Sequence, residues 1–362
     1  MHLCLTLLML MHIISGVFTH FVVWSNPRLT YSGSSLVIEA THMLNRWLKE
    51  IPENLIESFR DSSPPLIFVG SGFGKEALPP IKTGAELAED IRQEFNIPNS
   101  GEELAELLQY LQNKFSGSKR KVIAWLKQRL LHNVSRPGGA FRLLLDLPCK
   151  EYLTTNFDSL LLDAAREVNY RFLVVDDPGS YVPNVRDAFS QERTGVLGRL
   201  HGAFENEEKI VAMTDDYITN YTSGNKWREL LQTFFREKTV VFIGYSMKDF
   251  TTWTSYISMF VEWRRNMLPH ILVAPVESSH IKTFWSNYGI QYVPLKAHQF
   301  LIAVHDKLGN LETREDLVIA AAAACLGKGY NETEKEIDEK HSRSPYPTKT
   351  LTAKKMIMES QE

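Results

Sequence analysis

Two short polar stretches of the chain carry residue types that could do chemistry. The first, Tyr-Leu-Thr-Thr-Asn-Phe-Asp at residues 152–158, changes from apolar to polar and places Asn156 directly after a strand-like run. The second, Leu200-His201-Gly202, ends another strand-like run. An amide both donates and accepts hydrogen bonds, and an imidazole exchanges a proton near neutral pH. Asn156 and His201 are therefore the predicted catalytic pair, provided that the fold brings both stretches to one cleft.

Two glycine-rich turns also follow apolar runs. Gly70-Ser71-Gly72-Phe73-Gly74 comes after Leu66–Val69, and Gly244-Tyr245-Ser246-Met247-Lys248-Asp249 comes after Thr239–Ile243. In the first turn the missing side chains would let backbone N–H groups approach a pyrophosphate, and a following helix N-terminus would favour its charge. The spacing is not the full GxGxxG, so an ordinary tight turn is an equal alternative.

Each polar stretch has a simpler explanation when taken alone. Asn156 and Asp158 are both good helix N-caps, and a histidine before a glycine is more often a turn residue than a catalyst. All four stretches, however, follow strand-like runs. In a parallel sheet such loops share the carboxyl edge, where ligands bind in open α/β folds.

The strand-like runs alternate with amphipathic helices along most of the chain. This alternation predicts an α/β fold with a Rossmann-like, doubly wound parallel sheet. The predicted strands cover residues 66–69, 151–155, 171–175, 195–200, 209–213, 239–243, 271–274 and 290–293. We expect a loop at 176–184, a polar turn at 215–217, and a helix that opens at Asp158 with Leu160, Leu161 and Ala164 on one face.

A purely helical segment, about Thr83–Leu147, separates the first two strands. Two [ST]-x-x-E capping boxes, Thr83 with Glu86 and Ser100 with Glu103, mark helix starts within it. Its leucine stripes are too short for heptads and predict a core. We therefore expect a helical insert inside a catalytic domain of residues 61–325, after an N-terminal extension (1–60) and before a polar, disordered tail (326–362).

Composition narrows the function classes. The chain has 362 residues, 44% of them hydrophobic, which suits one large or two modest domains. Its formal charge of −3 gives no global basic field for nucleic acid or an acidic membrane surface. Cys4, Cys149 and Cys325 lie far apart with no CxxC pair, which disfavours a disulfide framework and a cysteine-based zinc site. A reducing cytoplasm is the expected location.

The first residues are apolar and uncharged. Leu3–Trp24 is long enough for a membrane span but is diluted by polar residues, and no positive charge precedes Arg28. We favour an artefactual or non-essential extension, with Met43 as an alternative start, over a membrane anchor. A cleaved signal peptide ranks last.

The four stretches together resemble the motifs of SIR2-like domains, the sirtuin relatives of prokaryotic anti-phage defence. The resemblance runs in order over about Pro64–Leu308 and implies a Rossmann-like sheet with NAD as ligand. It assigns catalysis to Asn156 and His201, and it places Asp158 near the nicotinamide amide, with no metal. The other expected cofactor contacts are Gly70, Ser71, Gly72 and Phe73 at the pyrophosphate, Thr155, and Gly244, Tyr245, Ser246 and Asp249 along the ribose and adenine.

The resemblance implies an NAD glycohydrolase that depletes NAD as an anti-phage (abortive infection) effector. A sirtuin-type deacylase or ADP-ribosyltransferase is the first alternative, disfavoured because three cysteines cannot build the four-cysteine zinc ribbon of deacylating sirtuins. A non-catalytic NAD-binding regulatory subunit is the second. Since an unrestrained NAD hydrolase would poison its host, we expect control by homo-oligomerisation or by a separately encoded defence partner. No direct contact with nucleic acid is expected, and membrane contact only if the 3–24 segment is an anchor.

Overall fold

A computed structural model describes residues 43–131, 135–221, 226–247, 250–263, 268–276 and 279–309. The predictions for the N-terminal apolar segment, for the polar tail and for Asp249 lie outside these residues. Within them, no helix is long and apolar enough to cross a membrane.

Nine strands in the described part of the chain form two sheets. In chain order they are β1 (Leu66–Val69), β2 (Ala77–Leu78), β3 (Arg136–Pro137), β4 (Glu151–Thr154), β5 (Arg171–Val175), β6 (Thr194–Arg199), β7 (Val240–Ile243), β8 (His270–Val273) and β9 (Ile290–Val293). The main sheet is parallel, with the order β5-β6-β4-β1-β7-β8-β9, and β2 pairs with β3 in a small antiparallel ribbon.

The strand order reverses direction beside β1. The chain first builds outward through β4 and then crosses β1 to continue with β7, β8 and β9 on its other side. This confirms the predicted Rossmann-like, doubly wound sheet. Because ligands bind at such a switch point, outside the carboxyl ends of the strands, the ends of β1, β4 and β7 are where a site is expected.

The central strands are apolar because both of their faces are covered. Every residue of β1, β4, β7 and β8 is buried, as is typical of parallel strands packed under helices on both sides. In the edge strand β5, by contrast, only Val175 is buried, and the other four residues are exposed or half-buried. The aromatic rings of Phe68 and Phe242 lie 5.3 Å apart in the core between β1 and β7.

Thirteen α-helices lie within the described residues. They are α1 (43–50), α2 (Glu53–Arg60), α3 (Gly84–Phe95), α4 (Leu104–Lys114), α5 (Lys119–Leu131), α6 (Gly139–Leu145), α7 (Leu160–Glu167), α8 (Tyr181–Phe189), α9 (Thr214–Tyr221), α10 (Lys226–Glu237), α11 (Phe250–Trp263), α12 (Ser279–Ser286) and α13 (Ala297–Leu308). A 3-10 turn, Ser71–Glu76, follows β1.

The insert between β1 and β4 contains α3 to α6, and its leucine stripes are buried as predicted. The Thr83–Glu86 capping box is confirmed, with the Glu86 side chain accepting from Thr83 N–H at 2.7 Å. The second box is shifted, because Glu103 is itself the N-cap and pairs with Glu106. The insert is also not wholly helical, since β3 lies inside it.

Three local predictions are wrong. No strand forms at 209–213, because the segment's N–H groups bond to a loop carbonyl and to a carboxylate: Val211 N–H donates to His201 O, and Ala212 and Met213 N–H donate to Asp216. The expected loop at 176–184 contains the start of α8, and the expected turn at 215–217 lies inside α9.

Candidate active site

The loops after β4 and β6 meet at the carboxyl edge of the sheet. Thr154 pairs in register with Arg199, and the ladder continues one residue further because Leu200 N–H donates to Thr154 O at 2.9 Å. Asn156 and His201 each stand two residues beyond this pair. The Phe157 and His201 ring centroids lie 6.4 Å apart. The structure therefore brings the two polar stretches to neighbouring positions.

Three hydrogen bonds fix Asn156. The Thr154 hydroxyl accepts from Asn156 N–H at 3.0 Å and donates to Val69 O at 3.0 Å. The Asn156 amide Nδ2 donates to Gly70 O at 3.3 Å. Because a carbonyl can only accept, this bond sets the orientation of the amide and leaves Oδ1 on its other side.

Asn156 Oδ1 is buried and has no hydrogen-bond partner among the residues that the structure describes. A buried acceptor without a partner costs about 1–3 kcal/mol, so most such atoms in folded proteins are paired. An orphaned acceptor at the carboxyl edge of a doubly wound sheet is therefore a position where a ligand donor is expected.

Asp158 adds a carboxyl group to the same place. The predicted helix begins at Leu160 rather than at Asp158, and the carboxylate accepts from Leu160 N–H at 3.1 Å. Burial raises the pKa of Asp158 to about 6, and the negative charge of Asp163 acts in the same direction. The carboxyl group can therefore change its charge within the physiological range.

A cavity at this edge has polar and apolar walls. Asn156 and Asp158 line it together with Phe141 of the insert. The lining residues are Val69, Phe141, Thr154, Asn156, Asp158, Leu161, Leu162, Leu197 and Arg199. The cavity walls combine apolar side chains with an amide and a carboxyl group, which is the combination by which ligand sites bind and orient a substrate.

Arg199 is a site residue that the sequence reasoning missed. Its guanidinium donates to both carboxylate oxygens of Asp176, at 2.7 and 2.8 Å, and to Glu205 at 3.1 Å. These bonds raise the pKa of Arg199, and the bond to Asp176 contributes most. An arginine at the end of a predicted strand, two residues before His201, is the signal that the sequence offers; its partners could be identified only from the fold.

His201 is almost fully buried, with 5% of its surface exposed. Tyr217 of α9 meets the imidazole edge to face, with ring centroids 5.2 Å apart and an interplanar angle of 85°. The sequence reasoning also missed Tyr217. The position of Tyr217 depends on the α9 helix, whereas the sequence predicts a turn there.

Residues 150–293, from the start of β4 to the end of β9, match the family model of the SIR2-like domain. This part of the chain is therefore similar to SIR2-like domains. This confirms the resemblance drawn from the motifs, three of which lie inside the matched residues. The Gly70–Gly74 turn lies outside them.

The curated proteins to which this chain is similar share one name. This chain is 27% identical over 187 residues to the NAD(+) hydrolase ThsA of Bacillus cereus (strain MSX-D12), and the match covers 51% of this chain and 37% of the relative. It is 26% identical over 220 residues to the NAD(+) hydrolase ThsA of Enterococcus faecium, covering 57% of this chain and 42% of the relative. The matched region thus spans less than half the length of these relatives.

The backbone N–H groups of the glycine-rich turn already donate hydrogen bonds within the protein. The N–H groups of Gly70, Gly72 and Phe73 donate to Ile243 O, Gly244 O and Gly70 O, respectively. A Cβ at Gly72 would lie 2.7 Å from Gly244 O. Close approach of the turns after β1 and β7 therefore explains the glycines, whatever ligand binds.

The remaining predicted contacts differ in accessibility. The rings of Phe73 and Tyr245 are buried, Phe73 against Phe141 at 4.6 Å and Tyr245 against Phe68 at 4.7 Å. Thr155 is half-buried, whereas Ser71 and Ser246 are exposed. Only the exposed or half-buried side chains can reach a ligand without repacking of the core.

Metal binding has no support among the described side chains. No group of three or more His, Cys, Asp and Glu residues there could hold a metal ion. The polar groups of the site are an amide, a carboxyl group, a guanidinium and an imidazole.

Proposed function

We propose that this SIR2-like chain hydrolyses the bond between nicotinamide and ribose in NAD, which makes it an NAD glycohydrolase. The observation that carries the proposal is the buried, unpartnered Oδ1 of Asn156 in a cavity that it shares with Asp158. The name NAD(+) hydrolase carried by the curated relatives supports the same reaction.

The reaction requires little covalent chemistry from the protein itself. Nicotinamide is bound through a cationic ring nitrogen, so it leaves with the bonding electron pair as a neutral molecule. The ribose carbon becomes oxocarbenium-like and forms a new bond to a water oxygen. The protein must position the substrate, stabilise the developing charge and accept one proton.

The named side chains can meet these needs. Asn156 Oδ1 accepts a hydrogen bond from the attacking water or from a ribose hydroxyl, which satisfies the orphaned acceptor. His201 takes the proton as general base, an effect typically worth about 10²–10⁴-fold. Asp158, ionised above pH 6, accepts from the carboxamide N–H₂ of nicotinamide and so holds the leaving group in the cavity.

The decisive experiment measures NAD loss and nicotinamide release by the purified chain. We expect turnover in the wild type and a loss of at least about 100-fold in Asn156→Ala and in His201→Ala. Asn113→Ala and His280→Ala are matched controls on exposed helix surfaces, since both residues lie outside the site. Circular dichroism checks that each variant is folded. Full turnover in both site variants would refute the assignment.

The same assay separates the alternative functions. Nicotinamide release that requires an added acyl-lysine peptide or another nucleophile indicates a transferase. Binding of NAD without turnover indicates either an inactive hydrolase or a regulatory subunit. Adding lysate from phage-infected cells then distinguishes the two, because only the hydrolase gains activity.

The biological role is a further part of the proposal. An NAD hydrolase that acts during phage infection would starve the infected cell, and such an enzyme must be restrained beforehand. We propose restraint by self-association or by a separately encoded partner, in a cytoplasmic protein whose catalytic domain covers residues 61–325. Size measurements with and without genetically neighbouring proteins test this, and a constitutively active monomer would contradict it.

A further inference from the structure

One segment links the helical insert to His201. Residues 210–213 run from the 3-10 turn Glu207–Lys209 to the start of α9, and Val211 N–H donates to His201 O at 3.0 Å. One helical turn later, Tyr217 packs its ring edge to face on the His201 imidazole. The segment therefore contacts both the backbone and the side chain of His201.

Asp216 holds this segment to the first turn of α9. One carboxylate oxygen accepts from the N–H groups of Ala212 and Met213, both at 3.1 Å. Tyr217 N–H donates to Met213 O at 3.2 Å. The segment and the first turn of α9 therefore form one tightly bonded unit that carries Tyr217.

Two side chains of the insert form hydrogen bonds with this unit. Lys119, the first residue of α5, donates from Nζ to Asp216 at 2.5 Å and to Ile210 O at 2.7 Å. Gln109 of α4 accepts from Asp215 N–H at 3.0 Å. Lys119 thus binds both ends of the segment, and its side chain is 30% exposed while that of Asp216 is 14% exposed. A partly buried ion pair of this kind fixes geometry more firmly than a surface pair does.

We propose that Tyr217 is a positioning residue for His201 and that Lys119 of the insert holds it in place. The proposal rests on the proposed function, since His201 is the general base there. The imidazole has to face the reacting atoms, and a misplacement of about 1 Å can cost about 100-fold in rate. Displacement of Lys119 from α9 would then change activity through His201, without a direct contact to Asn156.

Paired variants test the two residues in the full chain. Tyr217→Leu removes the ring and Tyr217→Phe keeps it. Lys119→Met removes the charge and Lys119→Arg restores a donor to Asp216. Lys127→Met is the matched control, because Lys127 is an exposed lysine on the same helix. Should Tyr217→Leu fail to fold, Lys119→Met still tests the link.

Two measurements report on the position of His201 and on catalysis, and not only on the stability of the fold. With ¹³Cε1-labelled histidine, the ring signal of His201, assigned through His201→Gln, reports the ring current of Tyr217. We expect this signal to move in Tyr217→Leu and in Lys119→Met and to stay in place in Tyr217→Phe and Lys127→Met. In the NAD assay, Lys119→Met and Tyr217→Leu should lower kcat by about 10- to 100-fold with KM unchanged within about twofold, and Lys119→Arg should recover part of the loss.

Failure of this proposal and failure of the proposed function give different results. An unchanged His201 signal in Lys119→Met, or an equal change in Lys127→Met, overturns the positioning role whether or not the chain cleaves NAD. If the wild type releases no nicotinamide even after addition of lysate from phage-infected cells, the hydrolase assignment fails, while the histidine signals still decide whether the insert positions His201. Equal kcat losses in Tyr217→Phe and Tyr217→Leu would also contradict the proposal.

Discussion

The two halves of the sheet's carboxyl edge use their polar groups differently. At the end of β1 and β7, the backbone N–H groups of Gly70, Gly72 and Phe73 all donate to carbonyls of the protein itself. At the end of β4, Asn156 keeps a buried acceptor without a partner, and burial raises the pKa of Asp158. The glycine-rich half is satisfied by its own packing, whereas the Asn156 half carries a cost that a bound ligand would relieve.

Gly244→Ala should have the largest effect, because it disrupts the close packing of the glycine-rich turns after β1 and β7. A Cβ there would lie 2.2 Å from Phe73 N, and the φ of +63° is one that L side chains rarely adopt. We expect the free energy of unfolding, measured in urea, to fall by about 3 kcal/mol or more. Gly117→Ala is the control, since its φ is +80° with nothing within 4 Å, and it should cost about 1 kcal/mol. Equal losses would show that backbone conformation, not close packing of the turns, demands glycine at 244.

Thr154→Val should come next, since Thr154 joins the two halves. Its hydroxyl donates to Val69 O and accepts from Asn156 N–H, and the residue is 6% exposed. Valine keeps the volume but leaves two buried polar groups unpaired, so we expect a loss of about 2 kcal/mol. Thr154→Ser keeps the hydroxyl and gives up a methyl group, which costs about 1 kcal/mol. Denaturation curves on which the valine variant matches or exceeds the serine variant would contradict this account.

Asp158→Asn should raise stability rather than lower it. Burial raises the pKa of Asp158 from 3.8 to about 6. Ionisation of this carboxyl group therefore destabilises the folded state at every pH above 6. The destabilisation vanishes below pH 3.8, where the group is protonated in both the folded and the unfolded state. With partial exposure taken into account, we expect a gain of about 1–2 kcal/mol at pH 7.5 that disappears near pH 4.

The pH dependence of unfolding checks this prediction, with Asp187→Asn, an exposed carboxylate on α8, as the neutral control. A gain that persists at pH 4 would assign the effect to something other than ionisation. A variant that gains stability and loses NAD turnover would show that the carboxylate is kept for function at a cost to the fold.

The fold could be predicted from the sequence because its signals are local. The runs at β1 and β7 are short, apolar and rich in β-branched or aromatic residues, which marks strands buried on both faces. The run at 209–213 has a similar composition and still forms no strand. Its backbone partners, His201 O and the Asp216 carboxylate, are supplied by loop and helix contacts that composition does not encode.

The candidate site was only partly predictable for a related reason. Asn156 and Asp158 stand out as polar residues after an apolar strand, but the unpartnered state of Asn156 Oδ1 depends on the Gly70 carbonyl 86 residues away. The pairing of Arg199 with Asp176 depends likewise on β5 and β6 being neighbours. Contacts between distant segments decide which polar residues remain available to a ligand, and these become visible only in the folded structure.

Ser71→Ala should have the smallest effect on stability, and it tests whether the satisfied half contacts NAD at all. The Ser71 side chain is exposed and accepts one long bond, 3.4 Å, from Gly84 N–H, so the free energy of unfolding should change by less than about 0.5 kcal/mol. With the amides of Gly70, Gly72 and Phe73 engaged, the exposed hydroxyl of Ser71 is the polar side-chain group of this turn that can reach a pyrophosphate. Losing one such bond should raise KM for NAD by about 2- to 10-fold with kcat unchanged.

The matched control is Ser62→Ala, an exposed serine before β1 at the opposite edge of the sheet. A KM that rises in Ser71→Ala and not in Ser62→Ala would make the glycine-rich turn part of the NAD site as well as a packing element. An unchanged KM would instead restrict the turn to packing. Recognition of NAD would then have to come from the Asn156 half and from the exposed Ser246 beyond β7, which makes Ser246→Ala the variant whose KM should rise.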